Sequence, residues 1–146
     1  MATIAVGNEA LKQPERLIDL VIDFKNRCNI EEKIGSRYGL SPREVMAIFL
    51  LNNVSMSSKE LSMKLGVSTS RGSRIIGGLL DRGLLVSEQD ADDRRSSILG
   101  LSSAGKEHLK DLSRIKDTCE RDFLEKLDTR QIEQVRQGMK LLLQVV

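Results

Sequence analysis

Two helix-start signals in the first half of the sequence constrain the fold more than any other feature. Ser41 and Glu44 form a capping box, in which each side chain satisfies a backbone N–H that the first helical turn leaves free, and Pro42 occupies the first helical position. The helix that follows contains the run VMAIFLL at 45–51, which is apolar on nearly every side and is therefore expected at the centre of the fold. A second capping box at 57–60 starts another, shorter helix.

This shorter helix is followed closely by a third helix, with a tight turn between the two. Gly66 ends the shorter helix, and Ser68 is a good N-cap for the next one, which continues to Arg82 and stops at Gly83. Two helices joined by a short glycine-containing turn are typical of a helix-turn-helix motif.

Longer helices are expected on both sides of this motif. Pro14 opens a long first helix, and Gly39 lies where its C-terminal cap is expected. Ser102 or Ser103 caps a further long helix, and residues 128–131 frame the start of the last one. Along the last helix, apolar residues recur at alternating steps of three and four, the seam of a helix that packs on a partner helix. These residues are Ile132, Val135, Met139, Leu142 and Val146.

Between the motif and the last two helices, the sequence changes to short strand-like runs. The runs at 84–88 and 98–101 are separated by the charged segment QDADDRRS, so a β-hairpin with a polar tip is expected. With 146 residues, of which 40% are hydrophobic and 30% charged, the chain has the length and composition of one soluble globular domain.

Composition argues against several classes of function. Aromatic residues make up only 3% of the chain, too few for a base-stacking platform that binds single strands. The net charge of +2 is small, so any nucleic-acid binding must come from local patterning. Two distant cysteines and one histidine indicate neither a disulfide framework nor a metal site, and no cofactor or catalytic arrangement suggests an enzyme. No apolar stretch has membrane-spanning length, and the N-terminus lacks the features of a signal peptide.

Two stretches carry a specific resemblance. LGVSTSRGSRIIGGLLDRGLL at 65–85 and DADDRRSSILGLSSAG at 90–105 resemble the turn, recognition helix and wing of the MarR family of bacterial transcriptional regulators. The resemblance covers nearly the whole chain. It implies a mainly α fold, with a winged helix-turn-helix that has a two-stranded β wing and with flanking N- and C-terminal dimerisation helices.

The same resemblance implies a division of the chain and a function. Residues 1–146 would form a single domain, in which 41–101 are the DNA-binding lobe and 10–38 and 103–146 the dimerisation helices. A homodimer would bind pseudo-palindromic double-stranded DNA, more as a repressor than an activator, at the nucleoid in the cytoplasm of a bacterium or archaeon. A small aromatic or phenolic effector would bind between the dimer helices and the DNA-binding lobes. The alternative is a winged-helix module that binds protein and not DNA.

The candidate recognition helix has two distinct faces. One face is small, polar and basic, and consists of Ser70, Ser73, Arg74 and Gly77. Such a face can enter a major groove, where an arginine can bind guanine bidentately, while the N–H groups of the helix start can bind a phosphate. The alternative is an ordinary solvated helix. On the first interpretation, the candidate DNA contacts of this helix are Ser68, Thr69, Ser70, Arg71, Ser73 and Arg74.

The wing has an unexpected charge for a DNA-binding element. Between residues 87 and 97 it contains four acidic residues and two arginines, a net charge of −2. By resemblance, Asp93 holds Arg95 in position, Arg95 enters an A·T-rich minor groove and Arg94 contacts phosphate. A salt-bridged hairpin tip is the alternative, and such exposed pairs contribute at most ~1 kcal/mol to stability.

The recognition helix contains three glycines, each of which costs about 0.8–1 kcal/mol of helix stability relative to alanine. They are Gly72, Gly77 and Gly78. At Gly72 the MarR family usually has an apolar residue that packs on the preceding helix, so the sequence departs from the family there. A close approach of the two helices and a locally flexible DNA-reading helix are both consistent with this departure.

Cys28 is a candidate redox residue. It lies on the expected first helix near Lys25 and Arg27, whose positive charges would lower the pKa of its thiol. By resemblance, some members of the family sense oxidants through a first-helix cysteine. The alternative is a buried and unreactive thiol.

Overall fold

The computed structural model describes residues 15–146 and shows a mainly helical chain with a small antiparallel sheet, so the fold class predicted from the sequence is confirmed. Pro14 and the beginning of the proposed segment 10–38 lie outside the described residues. The elements in chain order are α1 (Leu17–Arg27), α2 (Ile30–Ser36), α3 (Pro42–Leu50), β1 (Met56–Ser57), α4 (Ser58–Lys64), α5 (Thr69–Asp81), β2 (Leu85–Gln89), β3 (Ser97–Leu101), α6 (Ser103–Leu124) and α7 (Thr129–Gln144).

The serine caps predicted at the starts of α3 and α4 are present in the structure. The Ser41 hydroxyl accepts from the Glu44 N–H at 3.3 Å, while a Glu44 carboxylate oxygen accepts from the Ser41 N–H at 2.7 Å. At the second box, the Ser57 hydroxyl accepts from the Glu60 N–H at 3.2 Å. The Glu60 carboxylate instead lies 3.7 Å from the Lys64 ammonium. Only the first of the two hydrogen bonds of this capping box is therefore formed.

The expected long first helix is wrong, because two separate helices, α1 and α2, occupy this segment. The chain leaves the helical conformation at Cys28 (φ −112°, ψ 65°) and Asn29 (φ −85°, ψ 69°). Asparagine favours helix ends because its side chain bonds locally, and the Asn29 amide contacts the Glu32 carboxylate in the first turn of α2. Gly39 is in the left-handed region (φ +64°), as a residue beyond a helix end should be.

The hairpin belongs to a larger sheet than expected. Strands β2 and β3 pair antiparallel, with Leu85 opposite Leu101 and Gln89 opposite Ser97. The short strand β1 adds to the other edge of β3, where Met56 lies opposite Leu99. The predicted two-stranded wing is confirmed as the β2–β3 hairpin, and β1 extends its sheet to three strands. Two residues are too few to show the alternation by which a strand is recognised in sequence.

The core lies between the helix-turn-helix, α2, α3, the sheet and the first half of α6. The central position expected for α3 is confirmed, since Val45, Ala47 and Ile48 are fully buried. Leu112 of α6 is also fully buried, but Phe123 near its end is 41% exposed. α6 therefore begins on the core and ends outside it.

The two terminal helices of the described chain contribute nothing to this core. Every residue of α1 and α7 is at least partly exposed. The two helices flank an open apolar groove of about 590 Å³. Its walls include Leu17, Leu20, Val21, Phe24, Met139 and Leu142. No helix within residues 15–146 is both long and apolar enough to cross a membrane.

Candidate nucleic-acid interface

The helix-turn-helix consists of α4, a glycine turn and α5. Gly66 adopts φ +63°, which reverses the chain after α4 at little steric cost. The Ser68 hydroxyl then accepts from the Arg71 N–H at 3.3 Å and starts α5. From α3, the Arg43 guanidinium donates to the Leu65 carbonyl at 2.6 Å and fixes the end of α4. The predicted motif is thus confirmed.

α5 presents the two faces that its sequence predicts. Ile76 and Leu79 are buried against the core, so the opposite face is held outward. The exposed residues there and at the helix start are Ser68, Thr69, Ser70, Arg71, Ser73 and Arg74. All six candidate DNA contacts of this helix therefore lie together on one accessible surface.

The structure distinguishes the two explanations for Gly72. A Cβ atom at this position would lie 1.9 Å from the Ser62 hydroxyl oxygen and 2.7 Å from the Ser62 Cβ. The Ser62 side chain is buried and donates to the Ser58 carbonyl at 2.8 Å. The close approach of α4 and α5, and not flexibility, therefore accounts for the departure from the family at this residue.

A second arginine, Arg82, fixes the C-terminal end of α5, and no pattern in the sequence indicates this contact. The Arg82 guanidinium donates to the Tyr38 carbonyl at 2.7 Å and to the Gly39 carbonyl at 2.9 Å. Arg82 follows the last residue of α5, whereas its acceptors lie in the turn after α2. Such a contact between residues more than 40 positions apart leaves no periodic signal in a sequence.

The wing loop, residues 90–96, connects β2 to β3. The Asp93 carboxylate accepts from the backbone N–H of Arg95 at 2.9 Å, so the contact is with the backbone of Arg95. Arg94 and Arg95 are exposed, and within residues 15–146 neither forms an ion pair. The alternative of a salt-bridged tip is therefore wrong, and both guanidinium groups are available to a ligand.

Cys28 differs from the sequence-based expectation in position and in chemistry. It follows α1 as its C-terminal cap, and with Cys119 of α6 it lines a cleft of about 360 Å³. Partial burial raises the pKa of the Cys28 thiol, although the Lys33 charge opposes the shift. The predicted lowering by Lys25 and Arg27 is wrong because desolvation of the thiolate is the larger effect.

Comparison with known proteins connects this geometry to a family. Residues 38–96 match the sequence profile of the MarR family. An uncharacterised HTH-type transcriptional regulator of Bacillus subtilis, YcgE, is 34% identical over 77 residues, which are 52% of this chain and 50% of YcgE. The chain thus spans about half the length of the curated relative it matches.

Solved structures show the same fold over most of the chain. Wild-type MarR from E. coli in its apo form superposes with a TM-score of 0.77 over 90% of this chain and 98% of that chain, at 13% identity. A MarR transcriptional regulator from Methanosarcina mazei Go1 gives a TM-score of 0.74 over 87% and 94% of the two chains, at 22% identity. The matching family model, the similar curated protein and these solved structures all describe transcriptional regulators. Within residues 38–96 the chain thus matches the MarR family in sequence, and over most of its length it has the fold of solved MarR proteins.

Proposed function

We propose that the protein is a transcriptional regulator that binds specific DNA sequences through α5 and the wing loop. The observation that carries this proposal is the mounting of α5, whose apolar face is buried while the serines and arginines of its opposite face are exposed. DNA-binding proteins with a helix-turn-helix place the second helix of the motif in the major groove. Arg43 holds the turn between α4 and α5, and Arg82 holds the end of α5, so the DNA groove would meet a preformed surface.

The residues on this surface would have different roles. Arg74 is suited to a bidentate contact with guanine, and Arg71 and the N–H groups at the start of α5 to phosphates. In the wing loop, Arg95 would enter the minor groove and Arg94 would contact phosphate. Asp93 supports the wing because it holds the backbone of Arg95.

We further propose that two copies of the chain form a homodimer through α1 and α7. The open groove between these helices would otherwise expose a large apolar surface to water. A two-fold dimer presents two copies of α5, so its operator should contain two inverted half-sites about 10 base pairs apart or a multiple of that distance. A dimer bound to such a site at the nucleoid would act as a repressor by blocking transcription.

Selection of bound fragments from random duplexes tests the proposed operator directly. We expect recovered sequences to share two inverted half-sites with fixed spacing. Recovery of one unrepeated half-site in all fragments would contradict the two-fold arrangement while leaving sequence-specific binding intact.

The role of Arg74 can be tested with a matched arginine elsewhere. Arg74→Ala should weaken binding to the selected site by ~1–3 kcal/mol and relax the preference at one or two positions of each half-site. Arg130→Ala removes the same charge from the exposed start of α7 and should leave the sequence preference unchanged. Equal effects of the two substitutions on sequence preference would refute the assignment of Arg74.

A protein-binding module without DNA affinity is the second candidate, and the net negative charge of the wing favours it. The two functions differ in their response to salt. Duplex binding through several phosphates should fall steeply as the salt concentration rises, with a slope set by the number of contacts. Absence of salt-dependent duplex binding by the parent chain would favour the protein-binding function.

The cleft beside Cys28 is the candidate site for an aromatic or phenolic effector. Phe24, Ile30 and Phe123 provide apolar walls, and Lys33 provides a positive charge. We expect 4-hydroxybenzoate to raise the melting temperature of the parent chain but not that of Lys33→Met. An equal shift for both proteins would exclude Lys33 as the residue that binds the carboxylate of this compound.

A further inference from the structure

The end of strand β2 contacts the wing loop through a side chain to which the proposed function assigns no role. Gln89 is the last residue of β2 and pairs with Ser97 across the hairpin. Its side-chain amide nitrogen donates to the backbone carbonyl of Arg94 at 2.7 Å. The contact spans five positions of the sequence and closes the wing loop from its N-terminal side.

The other hydrogen bonds of the loop hold different backbone groups. The Asp90 N–H donates to the Ser96 carbonyl at 3.0 Å, and the Asp90 carboxylate accepts from the Asp92 N–H at 2.9 Å. The Asp93 carboxylate accepts from the N–H of residue 95. Within the described chain, only the Gln89 amide is found bonded to the carbonyl of residue 94.

The position of this contact indicates a role in binding more than in stability. Gln89 is exposed, so the loss of its amide leaves no cavity in the core. The carbonyl of Arg94 is also at the surface, where water can replace a lost donor at modest cost. The contact fixes the peptide group of Arg94, from which the arginine side chain leaves the loop.

Resting on the proposed DNA-binding function, we propose that Gln89 is a positioning residue that holds Arg94 for its contact with duplex DNA. Gln89 fixes the carbonyl of Arg94, and Asp93 fixes the N–H of Arg95. The backbone of each wing arginine is therefore held by a different side chain. Gln89 itself does not contact DNA.

The test uses Gln89→Met, which keeps the length of the side chain and its zero charge but removes the donor. At fixed salt, this variant should bind a selected duplex about threefold to tenfold more weakly, because a lost neutral hydrogen bond has an effect of this size. The slope of binding against salt should fall towards that of Arg94→Ala, since the same phosphate contact is impaired. Ser87→Ala is the matched control, because Ser87 is two residues earlier on the same face of β2. Its affinity and salt slope should equal those of the parent.

A double-mutant cycle separates positioning from a direct effect. In an Arg94→Ala background, Gln89→Met should cause no further loss of affinity, because the side chain that it positions is absent. A loss of equal size in both backgrounds, or no loss in either, would overturn the proposal while Arg94→Ala still supports DNA binding. A parent chain without duplex affinity would overturn both the proposed function and this inference. Melting curves and a second variant, Gln89→Ala, confirm that the effects concern folded protein.

Discussion

At the scale of single residues, the acidic side chains of the wing explain how a loop with net negative charge can face DNA. The carboxylates of Asp90 and Asp93 accept hydrogen bonds from backbone N–H groups of the loop. Their charge is therefore used to fix the backbone and does not neutralise Arg94 or Arg95. At Asp93, the hydrogen bond to the backbone should strengthen DNA binding, whereas the negative charge should weaken it. Substitutions at this position can separate the two effects.

Asp93→Ala and Asp93→Asn are expected to have opposite effects on duplex binding. The alanine variant loses the acceptor for the Arg95 N–H and should bind about threefold to tenfold more weakly, even though it loses a repulsive charge. The asparagine variant keeps an acceptor oxygen and loses the charge, so it should bind at least as tightly as the parent. Titration of labelled duplexes at one salt concentration measures both. Tighter binding by Asp93→Ala would show that charge dominates and that the orienting bond is unimportant.

The Cys28 thiol is expected to react slowly at neutral pH. Its pKa is raised by burial, so the thiolate fraction at pH 7 is below that of an exposed cysteine, and it grows only as the pH approaches the raised value. Iodoacetamide alkylation followed against pH in a Cys119→Ser background measures this fraction. An unstructured peptide with the same local sequence is the control. Faster alkylation of the protein than of the peptide at pH 7 would contradict this expectation and favour the redox role.

At the scale of elements, the close contact between α4 and α5 determines how α5 is oriented. Gly72 permits this contact because its missing Cβ leaves room for the buried Ser62 side chain. In contrast, a Cβ at Gly77 would meet nothing within 4 Å. Two glycines of one helix are therefore expected to respond to the same substitution in opposite ways.

Gly72→Ala should destabilise the fold, and Gly77→Ala should not. The first substitution forces apart two packed helices and should cost about 1–3 kcal/mol of unfolding free energy. The second adds a methyl group in open space and should stabilise the helix by up to about 1 kcal/mol. Urea denaturation of both variants measures the difference. Equal stability of the two variants would show that α4 and α5 can separate freely.

The helix starts and turns could be predicted from the sequence because the signals that specify them are local. Ser41, Ser57, Ser68 and Asp128 each cap the helix expected of them. The break at Cys28 could not be predicted from periodicity, since apolar spacing continues through it. A two-residue strand such as β1 leaves no pattern at all.

The candidate site could be predicted as a set of residues but not as a rigid surface. The exposed face of α5 follows from its periodicity, and the tip of the wing follows from its charged sequence. The clamps from Arg43 and Arg82 join residues 22 to 44 positions apart, and only the folded chain brings them together. Their identity depends on tertiary packing, which single-sequence patterns do not encode.

At the scale of the whole molecule, the described chain has a compact core at one end and unpacked helices at the other. α1 contacts α6 through the rings of Phe24 and Phe123, whose centroids are 6.4 Å apart. The rest of its apolar surface faces the open groove with α7. This arrangement is typical of a chain whose terminal helices pack on another copy.

Met139→Glu should convert the expected dimer into a monomer. A carboxylate in the groove would be buried without a partner on association, at a cost that exceeds what an interface of this kind tolerates. Lys140→Glu changes an exposed neighbour outside the groove lining and should leave the dimer intact. Light scattering gives the mass, and circular dichroism confirms the fold. Truncation after Leu127 should likewise give a monomer, and a folded dimer of that truncated chain would refute dimerisation through α7.

The length of α6 has a mechanical consequence for the two ends of the molecule. Its 22 residues form a rod about 33 Å long, which is anchored in the core at Leu112 and meets α1 at Phe123. A tilt of about 5° at one end of such a rod moves the other end by about 3 Å, roughly the length of a hydrogen bond. α2 packs on α6, and Arg82 ties the end of α5 to the turn after α2, so a continuous series of contacts connects α6 to α5. Strain applied at the terminal helices would therefore reach the α5 surface through packed elements and not through a loop.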